Sequence, residues 1–217
     1  MKRFGALFDL DGVLVDSENQ YTICWSGIEQ RHPTGIPDYA HAIKGTTLTS
    51  ILANYPTEAE REQVKRELHE FERTMPYPIM AGVIELLEQM KSEGWGTAIV
   101  TSSDKKKMSR LYAADPQLKQ YFDVIIDADM VTRSKPDPQG YLLAAEKLGL
   151  SPADCFVFED SLQGVAAGRA SGATVVGLAT TFPRERIEST GSTDVIVDSL
   201  ASVSTDMLRQ LKATLRP

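Results

Sequence analysis

Short apolar runs alternate with helical patterns along most of this chain, and this alternation is the feature that most constrains its fold. Continuous apolar runs are typical of parallel strands that are covered on both faces. Helical i, i+3, i+4, i+7 series begin at Val83 and at Tyr141, between two such runs in each case. We therefore predict an α/β fold with a doubly wound, mostly parallel, Rossmann-like sheet. The predicted strands are Phe4–Leu10, Thr97–Thr101, Asp123–Ile126, Cys155–Phe158, Thr174–Leu178 and Asp194–Val197.

One long segment interrupts the alternation. Residues 17–80 contain no predicted strand, but they contain capping-box signatures at Ser17 and at Thr57. Two prolines near the end of the segment stop any helix there. We predict that residues 17–80 form an inserted α-helical bundle, while residues 1–16 and 81–217 form the α/β core.

The composition narrows the classes of function. The 217 residues carry a formal net charge of −7 and no long basic stripe, so we expect no nucleic-acid partner. No run of 18 apolar residues is present and the N-terminus does not resemble a signal peptide, so we expect no membrane association. Cys24 and Cys155 lie outside any C-x-x-C motif, which is typical of reduced thiols. We expect a cytoplasmic monomer.

Two carboxylates, Asp9 and Asp11, lie at the end of the first predicted strand. The carboxyl ends of parallel strands are where open α/β sheets bind ligands. Carboxylates crowded together at such an edge are unfavourable unless a cation neutralises them. An Asp-Gly turn explains the same residues equally well. This motif alone therefore leaves a turn and a cation site both open.

Polar side chains also lie at the ends of two other predicted strands and in the connection before one predicted helix. Thr101 and Ser102 lie at the end of the second strand, and Glu159 with Asp160 ends the fourth strand. Lys135 lies in a Pro-rich turn before a helix. Each motif alone has a structural explanation as a helix start or a solvated turn. Together they predict a hard-cation site beside a phosphate cradle, and Mg²⁺ suits such carboxylate and phosphate oxygens. No Walker loop and no G-x-G-x-x-G is present, which excludes those two nucleotide sites.

These four motifs, in this order, resemble the haloacid dehalogenase superfamily. More narrowly they are similar to its phosphatases and its β-phosphoglucomutase-like subfamily, which carry a small helical cap of the C1 type where the insertion lies here. The resemblance implies that Asp9 is the nucleophile and forms an aspartyl-phosphate. It implies that Asp11 is the general acid and base of the reaction.

The resemblance also implies a Mg²⁺ site and a phosphate site. Asp9, the backbone carbonyl of Asp11 and Asp160 would hold the ion, and Glu159 would support them. The phosphoryl oxygens would be held by Thr101 and Lys135 together with the backbone N–H groups around Leu10 and Ser102. We therefore predict a Mg²⁺-dependent phosphomonoester hydrolase that acts on a small phosphorylated metabolite, with sugar phosphates as the class implied by the family.

Other activities of the superfamily remain as alternatives. Dehalogenation needs no second acid, so the presence of Asp11 and Asp160 disfavours it. A β-phosphoglucomutase-type mutase is the strongest alternative, but Tyr21 and Leu48 stand where those mutases carry a histidine and an arginine. Phosphonate cleavage would need a cap lysine such as Lys44. An inorganic pyrophosphatase and a non-catalytic phosphate-binding module complete the alternatives.

The predicted cap is where we expect the leaving group to be selected. The candidate specificity residues are Tyr21, Trp25, Lys44, Thr46 and Thr47. Trp25 has packing as its simplest explanation. The three consecutive lysines at 105–107 begin a predicted helix, and we interpret them as a solvated face.

Overall fold

The computed structural model describes residues 4–43 and 48–215. The chain divides into two compact units, Met1–Asp16 with Pro78–Pro217 and Ser17–Tyr77. We call the first the sheet unit and the second the helical unit. The described strands are β1 Gly5–Phe8, β2 Gly96–Val100, β3 Val124–Ile126, β4 Cys155–Glu159, β5 Thr174–Leu178 and β6 Val195–Val197. The α-helices are α1 Ser17–Arg31, α2 Tyr39–Ala42, α3 Leu48–Leu52, α4 Glu58–Thr74, α5 Val83–Ser92, α6 Lys105–Ala114, α7 Gln139–Leu148, α8 Leu162–Ser171, α9 Arg184–Glu188 and α10 Thr205–Leu215.

The six strands form one sheet in the order β3-β2-β1-β4-β5-β6. Every neighbouring pair is parallel. The prediction of a doubly wound α/β sheet is therefore confirmed, and the sheet is wholly parallel rather than mostly so. The strand order reverses at β1, because the chain builds outward through β2 to β3 and then returns to β4 on the other side. Such a reversal opens a crevice at the carboxyl ends of the two central strands.

The strands are buried on both faces, as their continuous apolar runs predict. Leu7 and Val157 face a core that includes buried residues of α7 and α8. Their neighbours Phe8 and Phe158 point the opposite way, because successive side chains of a strand alternate between faces. The two phenylalanine rings stack with centroids 4.4 Å apart and planes 12° apart. Side chains on both faces thus hold β1 and β4 in register, which positions whatever follows these strands.

Helix α7 ends where its sequence pattern predicts. Its buried face carries Tyr141, Ala144, Ala145 and Leu148. The next residue, Gly149, has φ 67°, a left-handed conformation that glycine adopts without a Cβ clash. This terminus returns the chain to β4.

The helical unit consists of α1 to α4 in the described residues. Its own apolar cluster includes Trp25, Ile28, Tyr39, Val64 and Leu68. Helix α4 begins with the predicted capping box, in which Thr57 accepts a hydrogen bond from the Glu60 backbone N–H and the Glu60 side chain accepts one from the Thr57 backbone N–H. This helix presents its charged residues to solvent and its apolar stripe to the cluster.

Residues 78–80 belong with the sheet unit, although we predicted the insertion to extend to residue 80. The backbone explains the difference, because Val15 and Ile79 form an antiparallel bridge. The Asp16 N–H also donates to the Pro78 carbonyl oxygen at 2.8 Å. The chain is therefore tied to the sheet unit three residues before the predicted boundary.

Within residues 4–43 and 48–215, every helix is too short or too polar to cross a bilayer. Cys24 and Cys155 are both buried and form no disulfide.

Candidate active site

Three buried carboxylates meet at the carboxyl ends of β1 and β4. Asp9 directly follows β1, Glu159 is the last residue of β4, and Asp160 comes next. Phe8 lies opposite Phe158 in the parallel register, and the Asp9 N–H donates to the Phe158 carbonyl oxygen at 3.0 Å. One oxygen from each carboxylate lies within 4.8 Å of the others. The crevice predicted at the reversal of strand order is thus strongly acidic.

Lys135 enters this cluster from the connection before α7. Its Nζ donates to Asp9 Oδ1 at 2.5 Å, to Glu159 Oε1 at 2.5 Å and to the Val100 carbonyl oxygen at 3.1 Å. An ammonium group has three donors, so these contacts use all of them. Burial lowers the pKa of Lys135, but the charges of Asp9 and Glu159 outweigh it and raise that pKa overall. Lys135 therefore stays charged and bridges the ends of β1, β2 and β4.

Glu159 is fully buried and is held by protein donors on both oxygens. Its Oε1 accepts from Tyr141 Oη at 2.6 Å as well as from Lys135. Its Oε2 accepts from Ser161 Oγ at 3.0 Å and from the Ser161 N–H at 3.2 Å. A Cβ at Gly164 would lie 1.9 Å from this carboxyl group, so only glycine allows α8 to approach so closely. Sequence reasoning missed Tyr141 and Ser161, because the first matched a helix-face pattern and the second a helix cap.

Asp160 is held against the first strand-end turn. Thr181 Oγ1 donates a short hydrogen bond to Asp160 Oδ2. Gly12 has φ 75°, and a Cβ there would lie 2.0 Å from the same oxygen. The Gly12 carbonyl oxygen in turn accepts from Thr180 Oγ1 at 2.6 Å. The glycine of the Asp-Gly pair thus makes a turn and also leaves space for the Asp160 carboxylate. The turn is therefore observed, and the cation site at this motif stays a prediction.

Burial raises the pKa of Asp9 to about 7. The positive charge of Lys135 opposes this shift, while the negative charges of Glu159 and Asp11 add to it. The three carboxylates lie within 4.8 Å of one another, and Lys135 pairs with two of them, Asp9 and Glu159. A further cation in this cluster would favour the ionised form of Asp9.

Asp9 and Asp160 are the carboxylates best placed to be direct ligands of such a cation. Hard divalent cations prefer carboxylate oxygens of this kind. Glu159 uses both oxygens on Lys135, Tyr141 and Ser161, which suits a supporting role. The chemistry of the donor set therefore fits a divalent cation.

Asp11 is held by donors other than Lys135. Lys107 Nζ lies 2.7 Å from Asp11 Oδ1 and 2.8 Å from Asp11 Oδ2. Ser103 Oγ donates to Asp11 Oδ2 at 3.0 Å. Our interpretation of residues 105–107 as a solvated face is therefore wrong for Lys107, although Lys105 and Lys106 are exposed. Nothing in the sequence alone separates Lys107 from the two lysines before it.

The predicted phosphate-binding residues lie around the end of β2. Thr101 is buried, its N–H donates to the Ile126 carbonyl oxygen, and its Oγ1 accepts from the Ser103 N–H at 3.0 Å. The Thr101 hydroxyl keeps its own proton as a donor. Thr101, Ser102 and Lys135 contribute to the lining of a cavity of about 190 Å³. The Leu10 carbonyl oxygen accepts from the Leu14 N–H at 2.9 Å, which tightens the turn after β1.

The candidate specificity residues of the helical unit have different surroundings. Tyr21 Oη donates to Glu72 Oε1 at 3.1 Å, so this hydroxyl is tied to α4. Trp25 is 6% exposed and packs edge-on against Tyr39, so packing explains its position. The remaining three, Lys44, Thr46 and Thr47, lie outside the described residues.

Fold and site together define the class: a parallel α/β protein whose acidic site lies at the reversal of strand order. Residues 5–172 match the family model of the haloacid dehalogenase-like hydrolases. This match spans more than half of the chain, and the chain therefore belongs to that family. The predicted family is confirmed, and with it the prediction of an enzyme of the hydrolase class.

Known proteins support the same assignment. Hexitol phosphatase A of Escherichia coli (strain K12) is 32% identical to this chain, over 94% of this chain and 94% of its own length. Beta-phosphoglucomutase of Bacillus subtilis (strain 168) is 30% identical, over 79% and 81% of the two chains. A HAD family hydrolase from Deinococcus radiodurans R1, crystallised with phosphate and sodium, superposes with a TM-score of 0.83. It is 25% identical, and the match covers 99% of this chain and 98% of that one.

Proposed function

We propose that this protein is a Mg²⁺-dependent phosphomonoester hydrolase that acts on a small phosphorylated metabolite through an aspartyl-phosphate. The observation that carries the proposal is the buried pairing of Asp9 with Lys135 at the reversal of strand order. A carboxylate held there by a permanent positive charge is positioned to attack an anionic phosphate that the same charge attracts. The similarity to hexitol phosphatase A supports the same chemistry.

The first step transfers the phosphoryl group to the protein. A carboxylate oxygen of Asp9 forms a bond to phosphorus, and the bond from phosphorus to the ester oxygen breaks. The electron pair of that bond goes to the ester oxygen, which takes a proton from Asp11 and departs as an alcohol. In the second step Asp11 accepts a proton from water, the water oxygen bonds to phosphorus, and the bond to Asp9 breaks to release inorganic phosphate.

Thr101 and Lys135 would hold the phosphoryl oxygens during both steps, with Lys135 exchanging one of its three present acceptors for a phosphoryl oxygen. The ammonium group already touches Asp9 Oδ1, and Thr101 lines the same cavity as Lys135. Backbone N–H groups around Leu10 and Ser102 would complete the cradle. Donors of this kind act on the charge that redistributes as the bond to phosphorus changes.

Asp9, Asp160 and the backbone carbonyl of Asp11 are the groups that would hold Mg²⁺. Glu159 would support them through its bond to Lys135. When bound, the ion would neutralise the negative charge that otherwise repels an anionic substrate from these carboxylates. The closeness of the Asp9 and Asp160 carboxylates, which lie within 4.8 Å of each other, supports a divalent cation.

Sugar phosphates are the substrate class we propose, because hexitol phosphatase A is similar over almost the whole chain. The helical unit would act as the cap that selects the leaving group. Tyr21, Lys44, Thr46 and Thr47 are the residues we propose for that role, with Trp25 in a packing role. The free thiols Cys24 and Cys155 support a cytoplasmic location, and we keep the monomer as our prediction.

Replacing the nucleophile tests the proposal directly. Asp9→Asn should lower kcat/KM for a sugar phosphate by about 10³-fold or more, because no carboxylate remains to attack phosphorus. Acid-quenched wild-type protein should carry one phosphoryl group, and Asp9→Asn should carry none. Asp206→Asn, an exposed acid on α10, is the matched control and should retain full activity. Removal of Mg²⁺ by a chelator should abolish turnover, and added Mg²⁺ should restore it. Undiminished turnover by Asp9→Asn would exclude the proposed nucleophile.

A phosphosugar mutase is the second candidate, since a beta-phosphoglucomutase is among the relatives. Tyr21 disfavours a mutase, because it stands where those mutases carry a histidine. Its hydroxyl group is already hydrogen-bonded to Glu72. Incubation with β-glucose 1-phosphate and a trace of the bisphosphate separates the two. Formation of the 6-phosphate faster than release of inorganic phosphate would establish the mutase.

A further inference from the structure

Lys107 makes a contact that neither the motifs nor the proposed chemistry assigns. It lies in the first turn of α6, where its backbone N–H donates to the Asp104 side chain at 2.8 Å. Its ammonium group reaches both oxygens of Asp11, which is 96 residues away in sequence. The two side chains are 18% and 23% exposed. This is a partly buried contact between two elements of the sheet unit rather than a pair between helix neighbours.

The contact fixes the direction of the Asp11 carboxylate. Lys107 holds both oxygens, and Ser103, itself buried, holds one of them from a second direction. A carboxylate on one short side chain with donors on two sides has little freedom to rotate. The neighbouring lysines at 105 and 106 point to solvent, so a solvated helix face does not explain this arrangement.

We propose that Lys107 is a positioning residue for Asp11, aligning the carboxyl group with the ester oxygen that leaves. The proposal rests on the proposed function, in which Asp11 transfers a proton to that oxygen. Alignment matters because proton transfer in the transition state requires a hydrogen-bonded approach of the two oxygens. Lys107 is not required to touch the substrate in this role.

The role predicts a dependence on the leaving group. An alkoxide, as from a hexitol phosphate, must receive a proton as the bond to phosphorus breaks. A 2,4-dinitrophenolate departs as a stable anion and needs none. The value of kcat/KM depends only on the steps up to the departure of the first product, which is the alcohol or the phenolate. It therefore reports on Asp11 as the acid of the first step and not as the base of the second.

The test compares three variants on two esters. Lys107→Met should lower kcat/KM for sorbitol 6-phosphate by roughly 10- to 100-fold, less than the roughly 10²- to 10⁴-fold of a full general-acid effect because Asp11 itself remains. It should change kcat/KM for 2,4-dinitrophenyl phosphate by less than about threefold. Lys107→Arg, which keeps two donors for a carboxylate, should recover most of the loss. Lys106→Met removes the same charge from the exposed neighbour and should leave both esters unaffected.

A second comparison removes Asp11 first. In an Asp11→Asn background, Lys107→Met should change kcat/KM for sorbitol 6-phosphate by less than about twofold, since the positioned carboxylate is already gone. Equal losses on both esters, or a full loss in the Asp11→Asn background, would overturn the positioning role. So would an unchanged selectivity between the esters. If wild-type protein hydrolyses neither ester, or if Asp9→Asn remains active, the proposed function itself fails, and that result is distinct from the others.

Discussion

The two units of this protein both pair charged side chains, but in different surroundings. In the sheet unit, Lys135 and Asp9 are each 12% exposed and Glu159 is not exposed at all. In the helical unit, Glu67 on α4 accepts from Arg31 and lies 2.9 Å from His32, and the Arg31 side chain is 57% exposed. The first set is enclosed between strand ends, and the second ties the surface of α1 to that of α4.

The difference in burial separates what the two sets of charges contribute to stability. Burying ions costs free energy that their attraction often fails to recover, so a buried ionic cluster is weak evidence for stability. The Lys135 cluster is therefore best explained by chemistry that needs concentrated charge. Exposed pairs cost little and contribute little, about 1 kcal/mol or less. The helical unit relies on its apolar cluster, and Glu67 adds a modest tie between helices.

The largest contrast should come from removing one cation from each set. Lys135→Met leaves Asp9 and Glu159 without their shared partner, so we expect a loss of about 3–5 kcal/mol in the free energy of unfolding. Activity should fall at least about 10²-fold, because Lys135 is also the donor that we propose for the phosphoryl oxygens. Arg31→Met should cost less than about 1 kcal/mol and leave kcat/KM unchanged. Urea unfolding and steady-state kinetics measure both; similar costs for the two variants would show that burial does not separate the sets.

A glycine in each unit sharpens the same comparison through packing. Gly164→Ala places a Cβ 1.9 Å from the buried Glu159 carboxyl carbon, so we expect a loss of about 3 kcal/mol in unfolding free energy and reduced activity. Gly27→Ala in α1 meets only the flexible end of Arg31, at 3.4 Å. It should stabilise the protein by about 0.5–1 kcal/mol, since alanine favours the helix. A Gly164→Ala variant as stable as the parent would contradict the close approach of α8.

The smallest expected effect is a dependence of the helical unit on pH. Partial burial raises the pKa of Glu67, but hydrogen bonds from Gln63, His32 and Arg31 outweigh it and hold this pKa at about 2, below its ordinary 4.5. A lowered pKa in the folded state means that the stabilisation is present above pH 4.5 and is lost as the pH falls towards 2. We expect a loss on the order of 1 kcal/mol over this interval.

The two tryptophans allow this effect to be measured in the helical unit alone. Trp25 lies in the helical unit and Trp95 in the sheet unit, so Trp95→Phe leaves fluorescence that reports only on the former. Glu67→Gln should remove the acid-dependent loss of stability, whereas Glu62→Gln, a more exposed acid on the same helix, should retain it. An unchanged pH dependence in Glu67→Gln would show that another group causes it.

Much of the fold could be predicted because local pattern and tertiary environment agree in this chain. All six predicted strands are present, since mostly apolar runs such as that of β5, which is buried at every position, suit burial on both faces. The capping box at Thr57 and the glycine after α7 marked real helix ends because their chemistry is local. The second boundary of the insertion was harder to predict, because it depends on a backbone bridge between Val15 and Ile79, which are far apart in sequence.

The sequence by itself determined which chemical groups stand at the strand ends, because the order of apolar runs places Asp9, Glu159 and Asp160 at the carboxyl edge of a parallel sheet. Only the tertiary structure decided how those groups are paired. Lys107 shows the reason: nothing local distinguishes it from Lys105 and Lys106, and its contact with Asp11 exists only because α6 and the turn after β1 come together in space. A side chain's type is written in the sequence, whereas its partner depends on distances that only the folded chain defines.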